Sequence, residues 1–156
     1  MATGTCTILP GTITFREVST SSGDQLTRDQ MRHLYKAATD FGKKVGDAPA
    51  TAEYYLYTAS AAGTVREFKA NQVDTGSSAS STYDLKKYAV GGNTGSSVLS
   101  AAVTIANADT DNTPKAGTIN SASYVAGDSF YALCTMSSST GAAGPSAWAI
   151  FDEVSP

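Results

Sequence analysis

His33 is the single histidine of the chain, so a hydrolase built on Ser/His/Asp or Cys/His would have to use it as general base. No Gly-x-Ser-x-Gly elbow or comparable nucleophile setting accompanies it. One imidazole is too few for a His-based metal site, and Cys6 and Cys134, the two cysteines, cannot complete a structural zinc tetrahedron without carboxylate help. They are also too few for a disulfide framework. Whether these two pair with each other stays open, although Cys134 alternates with Phe130 and Ala132 and so reads as a small buried hydrophobe.

Glycoside hydrolysis needs two converging acids, one of them with a shifted pKa. The carboxylates here are scattered, and Asp152-Glu153 reads as the exposed end of a last strand. Asp109-x-Asp111-Asn112 offers oxygen ligands of the kind Ca²⁺ takes, but the glycine and distal glutamate of an EF-hand are missing, and Asp and Asn turn chemistry explains the run better. Gly91-Gly92-Asn93-Thr94-Gly95 lacks a following Lys-Ser/Thr and opens no helix, so it is a hairpin connection and not a phosphate loop. Tyr54, Tyr55 and Tyr57 fall on one strand with alternate rings on opposite sides. Exposed members of that set, or Trp148, would suit sugar stacking or a protein interface, because such rings combine large contact area with a polar tip; core packing is the plainer alternative. No catalytic residue, metal ligand or cofactor is assigned.

The elements that position these groups are mostly strands. Thr12-Ile13-Thr14-Phe15-Arg16 alternates at period two after a Pro10-Gly11 turn, behind an extended arm of residues 1–12. Thr27-Arg28-Asp29-Gln30 matches a capping box, and Met31, Leu34, Tyr35 and Ala38 recur at helical spacing, which predicts a helix of about four turns. Gly42 and Gly46 offer its stops. Its Met31, Leu34 and Tyr35 face should pack on the sheets or on another subunit. Strands are expected over 53–57, 64–73, 82–88, 97–106, 117–121, 129–136 and 147–153, separated by Gly, Asn, Asp and Ser clusters. The fold expected is therefore mainly β, an antiparallel β-sandwich or jelly roll with one additional α-helix near the N-terminus. It divides into an arm (1–12), a strand-and-helix segment (13–50) and a sandwich core (51–156), within one domain overall.

At 156 residues the chain can bury roughly 70% of its unfolded surface in one core. Charged residues are 16% and the net charge is −3, so no broad basic field exists to hold phosphates, and nucleic-acid binding is disfavoured. Lys43-Lys44, Arg66 and Lys86-Lys87 are isolated solvated positions. Met1 to Cys6 lacks the charged and apolar regions of a secretion signal, which points to synthesis in a cytoplasm. The most apolar run, 98–108, is broken by Ser100, Thr104 and Asn107 and is far short of the ~20 residues of a bilayer span. No Asn-x-Ser/Thr glycosylation triplet occurs.

Gly63-Thr64-Val65, Tyr83-Asp84-Leu85-Lys86-Lys87, Val98-Leu99-Ser100, the run from Asp109 to Ile119, and Val125-Ala126-Gly127-Asp128 together resemble the β-sandwich modules of tailed-bacteriophage virion proteins. That group includes capsid decoration (cement) proteins and head or tail fibre proteins, and the likeness covers residues 63–153. The resemblance implies a non-enzymatic virion protein on the capsid surface, a homotrimer whose partner is the major capsid protein and which stabilises the assembled head. The arm and helix, through Thr3, Thr5, Ile8, Leu9, Met31, Leu34 and Tyr35, are then the expected partner-binding residues. A head-fibre or tail-associated protein that binds host-surface glycans is the alternative within the same group. A carbohydrate-binding module or small glycan hydrolase is the alternative from another class.

Overall fold

The computed structural model describes residues 3–7, 12–16, 32–136 and 140–154. Two compact units divide the chain, residues 1–31 and 32–156. In the first, β1 (Thr3–Thr7) and β2 (Thr12–Arg16) pair antiparallel, with Thr5 opposite Thr14 and Cys6 opposite Ile13. β2 has the bounds that its period-two alternation predicts, and β1 lies within the segment expected as an arm.

The second unit holds two antiparallel sheets. One contains β3 (Arg32–Thr39), β5 (Gly63–Asp74), β9 (Lys115–Ala116), β10 (Ser123–Tyr124) and β12 (Ala143–Val154), in the order β10-β5-β12-β3 with β9 also on β5. The other contains β4 (Ala52–Thr58), β6 (Ser80–Tyr88), β7 (Gly95–Ser97), β8 (Val103–Ala106) and β11 (Ser129–Met136), in the order β4-β11-β6-β7 with β8 also on β6. Strand β11 shows how the sequence writes such an element. Phe130, Ala132 and Cys134 are buried while the residues between them are half-buried, the period of a strand with one face on a core.

Both sheets contribute to a single core. Val65, Phe68, Ala70, Ala147, Ala149 and Phe151 come from the first, and Leu56, Tyr83, Leu85, Val103, Ile105, Phe130, Ala132 and Cys134 from the second. Large rings and alanines are mixed in it, so that Phe130 and Phe151, from opposite sheets, bring their centroids to 4.7 Å. Close packing of that kind is what gives a β protein a single arrangement.

Bulges set the phase of two strands. Ile150 pairs with Glu67 and Phe151 with Val65, so Arg66 is an extra residue, and Val65 and Phe68 both face inward although three positions apart. Phe130 pairs with Tyr57 and Tyr131 with Tyr55, which makes Leu56 extra on β4 and turns it into the core.

No helix occurs among the described residues. The predicted capping box at Thr27 and Met31 lie outside them, but Leu34, Tyr35 and Ala38 lie on strand β3, not on a helix. Eight residue pairs, from Arg32 opposite Val154 to Thr39 opposite Ala147, join β3 to β12. An isolated helix of that length is marginal in water, and the ladder satisfies the same backbone groups while closing the edge of β12. Leu34 and Tyr35 consequently point to opposite sides. Leu34 is 69% exposed, so the expected packing of a continuous Met31, Leu34 and Tyr35 face does not form across these two residues. β3 ends at a tight turn where Phe41 takes a positive φ of 54° and Gly42 one of 64°. The strain at Phe41 is offset by burying its ring beside Tyr83, at 5.7 Å.

The strand expected over 97–106 is two, β7 and β8, with Val98 and Leu99 leaving the ladder to enter the core. The strand expected over 117–121 is replaced by a turn in which the Val98 carbonyl accepts from the N–H groups of Asn120 and Ser121. A single bridge, Leu99 to Ile119, remains.

Candidate functional site

Strand alternation lines up three tyrosines on the outer face of the second sheet. Tyr131 on β11 stands opposite Tyr55 on β4, and Ser129, two residues earlier on the same face, stands opposite Tyr88 on β6. The rings meet edge to face, Tyr55 to Tyr131 at 5.7 Å and Tyr131 to Tyr88 at 5.1 Å. Tyr55 is 56% exposed. The Tyr88 hydroxyl donates to Glu53 Oε1 at 2.9 Å, and this bond to a carboxylate, with some burial, pushes the phenol pKa up.

Beside the row lies an open cleft of about 450 Å³ lined by Glu53, Tyr88, Val90, Gly91, Gly127 and Tyr131 among others. Its walls are two turns held by one buried carboxylate. Asp128, 3% exposed, accepts from the N–H groups of Val90 and Val125 at 3.1 Å each. Gly91 and Gly127 have φ of 73° and 89°, a backbone that side chains rarely adopt. At Gly127 a Cβ would also press on Val90. The cleft is thus built on strand ends and on a clamped pair of turns, which fixes its shape.

Among the described residues, four carboxylates outside the cleft are engaged in structural bonds. Glu153, far from being an exposed strand end, is 2% exposed and accepts from the Tyr57 hydroxyl at 2.6 Å, the Ser60 N–H at 3.0 Å and the Ser60 hydroxyl at 2.6 Å. Burial alone would raise its pKa, but these donors outweigh it and hold the carboxyl below its ordinary value. Asp152 lies 3% exposed under the bulged Arg66, whose Nε donates to it at 2.7 Å. Asp109 caps its own turn through the Ala106 N–H at 2.6 Å and pairs with Lys115 at 2.7 Å, while Asp111 accepts from Thr75. These are turn and loop-joining roles, as the sequence reading favours. Among the described residues no group of three or more His, Cys, Asp or Glu converges as metal ligands would.

Cys134 carries a free thiol, fully buried, and burial pushes its pKa up to about 11. A buried neutral thiol is a poor nucleophile. Ellman's reagent is therefore expected to leave Cys134 unmodified in the native protein and to modify it promptly in denaturant, and prompt native labelling of a Cys6→Ser variant would contradict this placement.

The expected partner-binding residues are only partly placed. Thr3 and Thr5 lie on β1 in the first unit, and Ile8, Leu9 and Met31 fall outside the described residues. Leu34 is exposed, and Tyr35 stacks on Tyr57 at 5.7 Å. Of the aromatic platforms proposed from sequence, Tyr55 alone stands in the outer row. Tyr54 turns toward Phe41, and Tyr57, rotated by the bulge at Leu56, stacks on Phe151 at 4.6 Å. Trp148 is on the other sheet, covered by Lys36 Nζ at 5.1 Å and donating to Glu67 at 3.4 Å. Glu53, Tyr88 and Tyr131 were not singled out from the sequence, although period two places each on one face of its own strand. Which strands are neighbours is what joins them. No family model, curated protein or solved structure matches this chain, so its candidate site rests on its own residues.

Proposed function

We propose that this chain is a non-enzymatic structural protein of a phage particle, a capsid decoration protein that binds the assembled head and stabilises it. In this reading the two sheets are the leaves of a β-sandwich of jelly-roll type, and the molecule acts as a homotrimer on the major capsid protein lattice. The observation that carries it is where the phrases of the virion resemblance fall. Gly63-Thr64-Val65 opens β5, Tyr83 to Lys87 runs along β6, Val98 and Leu99 plug the core, Asp109 and Asp111 tie loops, and Asp128 clamps two turns. Each phrase serves a rigid β scaffold, which is the property shared by such modules. The engagement of Glu153, Asp152, Asp109 and Asp111 in structural bonds supports binding over turnover.

A ligand that prefers the assembled lattice to free subunits raises the apparent stability of the shell by mass action, and repeated sites multiply weak contacts into avidity. Particles carrying the protein should survive higher temperature or lower salt than stripped particles, and adding the purified chain back should restore the margin. A chain lacking residues 1–12, which loses β1 and its pairing with β2, should keep the second unit folded and restore less of it. If stripped and decorated particles rupture under the same conditions, the decoration reading fails. The tyrosine row favours the second reading, a head-fibre or tail-associated protein that binds host-surface glycans, and finding the protein on fibres or tails alone would select it.

A further inference from the structure

We propose that the cleft beside the Tyr55, Tyr131 and Tyr88 row is a saccharide-binding site for an uncharged pyranose oligosaccharide. It deepens the glycan-binding alternative by naming its site and ligand class, and holds equally for a protein seated on a head.

Sugar rings present two kinds of surface, apolar C–H faces and a girdle of hydroxyls. The tyrosine row offers the first kind of partner. Tyr55 projects with more than half its surface open, and the edge-to-face contacts at 5.7 and 5.1 Å hold the three rings in place before any ligand arrives. Polar atoms at the same place offer the second. Glu53 and the Tyr88 hydroxyl converge at 2.9 Å on the cleft wall, and Ser129, also lining it, bonds Thr58 at 2.9 Å. The volume of about 450 Å³ lies within the ~300–1,000 Å³ usual for small-ligand clefts.

Charge narrows the class. The lining contains one carboxylate, Glu53, and no lysine or arginine. Lys86, the cation on the same sheet face, is taken by Asp84 at 2.9 Å, and Asp84 accepts from Ser97 as well. A uronic or sialic acid would meet a like charge there with nothing to neutralise it. Uncharged hexose units would not, and Glu53 would accept from their hydroxyls. Preformed walls held by Asp128 reduce the ordering that binding would otherwise require.

The test is an amide NMR titration of the isotope-labelled full chain with maltohexaose, cellohexaose, mannohexaose and the N-acetylglucosamine hexamer, each to about 10 mM to detect a millimolar site. A galacturonate oligomer serves as the charged control. At least one uncharged probe is expected to shift Glu53, Tyr88, Gly91, Gly127 and Tyr131, and the charged oligomer to shift them less. Tyr55→Ala should weaken that binding about tenfold, the equivalent of ~1.4 kcal/mol, while lowering the melting temperature by no more than a few degrees. Glu53→Gln should weaken it also, with the rings intact.

Absence of shifts with every uncharged probe, preference for the galacturonate oligomer, or full affinity in Tyr55→Ala would overturn the proposal. So would loss of particle retention in Tyr55→Ala with no sugar bound, which would assign this face to a protein contact. None of the sugar-binding results bears on whether decorated particles outlast stripped ones, so the two readings fail separately.

Discussion

Phe151→Ala should lower the unfolding free energy by about 3–5 kcal/mol, as removal of a fully enclosed ring does when its surroundings relax only in part. Phe151 is 0% exposed, and its ring lies 4.6 Å from Tyr57, 4.7 Å from Phe130 and 6.0 Å from Tyr124. It is the point where β12 of one sheet meets β11 of the other. Loss of the ring removes packing between the sheets, not only within one. A fall in melting temperature of about 10 °C or more is expected, with Phe151→Leu falling less because it keeps most of the volume. Urea unfolding measures both. A Phe151→Ala variant as stable as the native chain would mean that the two sheets do not share this core.

Glu153→Ala is expected to destabilise by about 3 kcal/mol, since hydrogen bonds to charged groups are the stronger ones. The change leaves the half-buried Tyr57 hydroxyl without its acceptor and frees the Ser60 end of the β4–β5 connection. A pH dependence follows from the same bonds. Donors hold the folded-state carboxyl below its ordinary value of 4.5. A depressed folded pKa means that the stabilisation is complete above the unfolded pKa and is lost as pH falls through the folded one. Stability should therefore decline below about pH 4.5, and Glu153→Gln should make that decline shallower. Asp109 and Asp111, also held low by their partners, keep part of the acid sensitivity in the variant. Equal slopes of stability against pH in native and Glu153→Gln proteins would remove Glu153 from this role.

Strand β11 was fully legible in the sequence because one face is buried along its whole length, and Phe130, Ala132 and Cys134 record that alternation residue by residue. The expected strand at 64–73 lies within β5, although the bulge at Arg66 interrupts its alternation. β3 was not legible as a strand, because Leu34, Tyr35 and Ala38 fit a period of 3.6 and, with two adjacent members, do not fit a period of 2. A capping box and a helical stripe report local preference. The edge of β12 that β3 fills comes from the far end of the chain, and no local pattern reports it. Ser97 to Ala106 reads as one strand since Val98, Leu99, Val103 and Ile105 are all apolar, yet the first pair is buried from a loop and the second from a strand.

Composition and alternation by themselves determined a mainly β chain, most of its strand positions, the Asp and Asn turns and the burial of Cys134. Those properties depend on neighbours two or four residues away, which the sequence displays directly. The tertiary structure decided which strands lie side by side, the strand at β3, and the bulges at Arg66 and Leu56. It thereby decided that Tyr55 faces outward with Tyr88 and Tyr131 while Tyr57 turns in to Glu153. A bulge adds one residue to a ladder of period two and so exchanges the faces of everything beyond it. Where that residue is inserted depends on how two distant strands fit against a shared core.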